Sequence, residues 1–168
     1  RDSMGREVAY ADDYRFKPDP VILFEVPADG NYEAAIWDGI YRGREDFVYR
    51  MSMGELPFLT GIFPLGTQTG SGMNVEVSGW NLARTGITPD TGRPAPCVFP
   101  VVAHGTNGTV SNPMPFALDT LPECVDTEPN SMLKTAQPVT LPVIVNGRID
   151  EPGKKDVFRV EGMAGKAV

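Results

Sequence analysis

The chain has 168 residues and a net charge of −7, room for one ordinary domain or two small ones. An acidic chain without a basic stripe argues against nucleic-acid binding and against docking on anionic membranes. No apolar run approaches the roughly 20 residues needed to span a bilayer as a helix. Gly 18 and Pro 16 serve turns and break helices, so the expected class is all-β.

In chain order, "PVILFEVP" (Pro20–Pro27) is an apolar run bounded by prolines, and "ADGN" follows as a hairpin-type turn. "YEAAIWD" then alternates, with Tyr32, Ala34 and Ile36 on one face. "FVYRMSM" does the same with Phe47, Tyr49 and Met51. These runs predict an antiparallel meander within residues 1–55. From 56 to 119 the pattern is that of a small β-sandwich. "LPFLTGIFPLGTQTGSG" runs into a Gly/Thr/Ser turn. "MNVEVSGW" places Met73, Val75 and Val77 together. "CVFPVVA" is a strand whose internal proline marks an edge or a bulge. Asn107-Gly108 in "HGTNGT" is a strong hairpin signal, and "SNPMPFALD" is the return strand. Residues 120–138 are polar and read as a linker with a short helical turn near Ser131–Thr135. In 139–168, "VTLPVIVNGRI" and "VFRVEGMAGKAV" (Val157–Val168) read as strands on either side of the charged turn "DEPGKKD".

Residues that carry chemistry are few. His104 is the single histidine and stands beside a turn, with no nucleophile elbow in the sequence; a turn role outweighs a catalytic one. The pairs Asp12-Asp13 and Glu45-Asp46 are sequence neighbours whose side chains diverge on a strand, so neither makes an acid–base dyad. Gly70–Gly72 is a turn without a phosphate-loop signature. Cys97 and Cys124 lack a CxxC spacing and fit either a disulfide or two separate buried thiols. Trp37, Tyr41, Trp80 and Phe99 are candidates for a ligand platform, with core packing the better explanation of each. The clearest metal-ligating pattern is "DTEPN", which sets Asp126, Glu128 and Asn130 at every second position with oxygen donors, as a hard cation such as calcium requires. Linker capping competes with that reading.

"EPNSMLKTAQPVTLPVIVNGRIDEPGKKDVFRVEGMAGKAV" resembles the opening half of the bacterial pre-peptidase C-terminal (PPC) domain, in its Glu-Pro-Asn start, its "NGRI" strand and its "DVFRV" strand followed by Ala-Gly. Residues 10–53, with "PADGNY" and "FVYR", resemble the closing half of such a domain. "GIFPLGTQTGSGMNVEVSGWNL" and "VSNPMPFAL" resemble the start and end of an IPT/TIG immunoglobulin-like domain. The series is that of large exported proteins of planctomycete-type bacteria. The resemblance implies a PPC-like sandwich half at 1–55, an immunoglobulin-like domain at 56–119, a linker, and a second PPC-like half at 139–168. The two halves would complete one another within one chain or between chains. It further implies an extracytoplasmic location (periplasm, cell surface or secreted) and a non-catalytic role as spacer, adhesion unit or binding domain, in the kind of protein that also carries a protease. Two alternatives are a surface-layer or filament subunit assembled by strand exchange, and a calcium-dependent binder of protein or polysaccharide. The expected partners are other domains of a parent protein, copies of itself, or such a polymer. Asp150 and Asp156 would then join Asp126, Glu128 and Asn130 around calcium, although Ser131 and Lys154-Lys155 replace acidic residues common at those places.

Overall fold

The computed structural model describes residues 1–166, and no helix occurs among them. Ala167 and Val168, the last residues of the expected strand Val157–Val168, lie outside the described residues. The chain divides into two compact units, Arg1–Met53 and Gly54–Val168, and the fold is all-β.

In Arg1–Met53 the expected meander is absent: the described backbone carries a single two-residue bridge, Tyr14 with Lys17, and no strand. Alternation in sequence is a property of one segment, whereas a strand exists only where a second segment completes its ladder. Local bonds take up part of this backbone instead. Asp2 Oδ1 accepts from the N–H groups of Met4 and Arg6, and Asp38 Oδ2 from those of Ile40 and Arg42. Short-range carboxylate bonds of this kind compete with sheet formation. Ile22, Val26, Ile36 and Val48 accordingly remain exposed.

Residues 54–119 form two three-stranded sheets that share one core. The first has the order β1 (Phe58–Phe63), β3 (Val75–Trp80) and β4 (Gly86–Ile87), all antiparallel. The second joins β2 (Gly66–Gln68), β6 (Met114–Asp119) and β5 (Cys97–Val101), with β5 antiparallel and β2 parallel to β6. β1 and β2 are consecutive stretches of one run that leaves one sheet and enters the other. Leu59 and Ile62 face the core because the register slips between Leu59 and Gly61; strict alternation would have turned one of them outward. Val75 and Val77 meet them from β3, and Phe99, Val101, Phe116 and Leu118 from the opposite sheet. Phe99 and Phe116 are register partners in edge-to-face contact, centroids 5.8 Å apart. β5 is an edge strand, which accommodates Pro100. Gly66 is needed at the β2–β6 approach, since a Cβ there would stand 2.8 Å from the Ala117 carbonyl oxygen. The β5–β6 connection turns at Asn107-Gly108 as expected, with Gly108 at φ +80° and the Asn107 side chain accepting from the Thr109 N–H at 3.1 Å.

The stretch expected as a linker contributes strands. β7 (Glu123–Val125) pairs in parallel with β9 (Ile144–Asn146), and β8 (Gln137–Pro138) in parallel with β10 (Phe158–Arg159). A non-helical turn closes at Met132–Thr135. The strands on either side of the charged turn therefore pair upstream rather than with each other. Strands this short show no alternation, so pattern reading passes over them.

Candidate metal centre

The Gln137 carboxamide ties the two parallel pairs together. It accepts from the Thr127 N–H at 2.6 Å and donates to the Val125 carbonyl at 3.0 Å, so it brackets Asp126 from both sides along the chain. Asp126 is fixed further by its own N–H, which donates to the Asn146 carbonyl at 2.9 Å, and by its Oδ2, which accepts from the Arg148 N–H at 3.3 Å. Asp156 arrives on the approach to β10, where the Val157 N–H donates to the Asn130 carbonyl at 3.0 Å. Glu128 turns back so that its Oε2 accepts from the Asn130 N–H at 3.0 Å.

The outcome is a convergence of carboxylates: Asp126, Glu128 and Asp156 each offer an oxygen within 4.8 Å of the others. Asn130, bonded through its N–H to Glu128 and through its carbonyl to Val157, is 0% exposed, and its Oδ1 and Nδ2 have no hydrogen-bond partner. Asp156 Oδ1 is likewise shielded from solvent without a partner. Buried polar atoms are nearly always satisfied, and two unpartnered oxygens next to converging carboxylates are the kind of donor set that a hard cation takes. Burial pushes the Asp156 carboxyl above its usual range, and the negative charges of Asp126, Glu128 and Asp150 push it the same way. Gly147 completes the cradle: a Cβ there would stand 3.3 Å from Asp156 Oδ2 and 3.7 Å from Asp126 Cγ.

Of the residues singled out from sequence, Asp126, Glu128 and Asp156 are thus brought together, and Asn130 joins them through its backbone bond to Glu128. Asp150 is exposed and its carboxylate lies outside the group of three, acting on Asp156 through space. Lys154 is engaged by Glu151, Nζ to Oε1 at 3.1 Å. Gln137, Gly147, Asn146 and Arg148 had no sequence signal, because their contribution is a backbone position relative to a distant strand. The cysteines are two separate free thiols, Cys97 on β5 and Cys124 on β7, both half-buried. His104 is exposed, at the start of the hairpin turn, bridged to Val110, with its carbonyl accepting from the Ala83 N–H. Among the aromatic candidates, Phe99 is core and Trp80 is half-buried, stacked on Phe58 at 5.2 Å. Trp37 and Tyr41 depart from the core expectation: both are exposed, Trp37 stacking on Tyr10 at 6.0 Å. They lie in the unit that builds no sheet to bury them.

No protein-family model, no curated protein and no solved structure matches the chain.

Proposed function

We propose that the chain is a non-catalytic β-module of an exported bacterial protein, acting outside the cytoplasm as a spacer or binding unit, and that its C-terminal segment is held in shape by calcium. The observation that carries this reading is the convergence of Asp126, Glu128 and Asp156 within 4.8 Å beside the buried, unpartnered Asn130. All donors are oxygens, which suits a hard cation, and a site assembled from a loop and a strand approach suits calcium's tolerance of irregular coordination better than magnesium's strict octahedron. Bound there, calcium would neutralise three like charges and cross-link the loop after β7 to the approach to β10. Asp126, Glu128, Asp156 and the Asn130 carbonyl-type Oδ1 would hold it. Extracellular calcium modules work with Kd values of about 0.1–1 mM, the range expected here. The non-catalytic reading is supported by the position of the single histidine, exposed at a hairpin turn.

Calorimetric titration of the chain with CaCl2, paired with thermal melts in calcium and in chelator, tests the site. Binding heat and a raised Tm are expected. Absence of both overturns it.

A further inference from the structure

The tripeptide Asn146–Gly147–Arg148 faces two ways. Toward the sandwich, Asn146 is buried and its Oδ1 accepts from the Leu65 N–H at 2.9 Å, in the link between β1 and β2. The Arg148 guanidinium lies 4.4 Å over the Phe63 ring, at the end of β1, and 3.7 Å from Glu76 Oε2 on β3. Toward the carboxylates, the Asn146 carbonyl and the Arg148 N–H both bond Asp126, while Gly147 leaves room for Asp126 and Asp156. Asn146 also donates through Nδ2 to Glu123 Oε2 on β7 at 2.7 Å. Three consecutive residues therefore grip the sandwich with two side chains and set the aspartate with their backbone.

We propose that this tripeptide couples cation binding to the docking of the C-terminal segment on the sandwich, so that calcium stiffens the junction between them. The proposal rests on the calcium reading above. Its logic is linkage. A cation favours whichever arrangement brings its ligands together, and the arrangement then favours the cation by the same factor. Asp126 is oriented by the backbone of 146–148, and that backbone is positioned by Leu65, Phe63 and Glu76. Releasing the grip on the sandwich frees Asp126 to turn away from Glu128 and Asp156. The buried Asn130 supplies an independent sign that this arrangement is built around a ligand.

Arg148 makes the idea decidable, because two effects oppose each other there. Its positive charge repels a nearby cation, so by charge alone Arg148→Ala tightens calcium binding. If Arg148 works as a clamp, its removal weakens binding. The experiment is calorimetric titration of the full chain and of Arg148→Ala with CaCl2, together with hydrogen exchange at the Leu65 amide of the unsubstituted chain in calcium and in chelator. Expected are a Kd raised about fivefold or more in Arg148→Ala and slower Leu65 exchange in calcium. Calcium binding to the unsubstituted chain with equal or tighter binding to Arg148→Ala overturns the coupling and leaves the site standing. No binding to the unsubstituted chain overturns both. Should Arg148→Ala fail to fold, unchanged Leu65 exchange on adding calcium overturns the coupling without the variant.

Discussion

Asn130→Ala should stabilise the chain without calcium, and by less when calcium is bound. Without the cation, the substitution deletes two buried atoms that have no partner. Each unsatisfied buried polar group costs about 1–3 kcal/mol, so removing two gains about 2–6 kcal/mol. Against it stands a void of about 25 Å³, costing about 0.6 kcal/mol at about 24 cal/mol per Å³. The backbone bonds of Asn130 to Glu128 and Val157 survive. The variant should therefore be more stable than the parent by about 1–5 kcal/mol in chelator, a rise of at least about 3 °C in Tm for a unit of this size. In calcium at about 100 times Kd the parent gains about 2.7 kcal/mol. A variant that has lost one ligand and about tenfold in affinity gains about 1.4 kcal/mol at the same concentration. Its advantage shrinks by about 1.3 kcal/mol. Urea titrations of both proteins in chelator and in calcium read all four values. A variant less stable than the parent in chelator would mean that the Asn130 carboxamide is already satisfied. A stability gap indifferent to calcium would mean that Asn130 is no ligand. Either result refutes the reasoning.

Asp156→Asn tests the electrostatics of the cluster through pH. The folded-state carboxyl is raised above its usual value of 3.8 by burial and by its acidic neighbours. Its favourable contribution is therefore fully present below that usual value and is lost as pH rises through the raised one. In calcium-free buffer the variant should gain on the parent between pH 4 and pH 7, and melting curves that stay parallel across this window would sink the assignment. Asn112→Ala probes the edge of β1. The Asn112 carboxamide accepts from the Leu59 N–H at 2.6 Å and donates to the Leu59 carbonyl at 3.1 Å, doing for β1 what one residue of a neighbouring strand would do. Losing both bonds beside a residue 1% exposed should cost about 2 kcal/mol in urea unfolding, and a loss below about 0.5 kcal/mol would contradict that role.

Much of the two-sheet unit at 54–119 was legible in the sequence because its determinants are local. Val75 and Val77 on one face of "MNVEVSGW", the edge proline of "CVFPVVA" and the Asn107-Gly108 turn each carry their meaning within a few residues. Period and turn chemistry suffice there. The slip at Leu59–Gly61 was not legible, since a bulge is defined by the partner strand. In residues 20–53 the same alternation misled. Those runs have the period of strands but no mutual ladder among the described residues, and periodicity states which face would be buried without stating against what.

The carboxylate cluster divides in the same way. "DTEPN" shows its oxygen donors in sequence, because every second residue of an acidic loop can converge on one ion. That Asp156 closes the group, that Asp150 stands outside it, and that Gly147 leaves space beside the carboxylates follow from the β7–β9 and β8–β10 pairings. The sequence by itself determined the all-β class, the turns and the kind of ligand atom on offer, all set by backbone preferences and side-chain chemistry over short spans. Only the tertiary structure decided which oxygens meet, because that depends on backbone bonds between segments far apart along the chain.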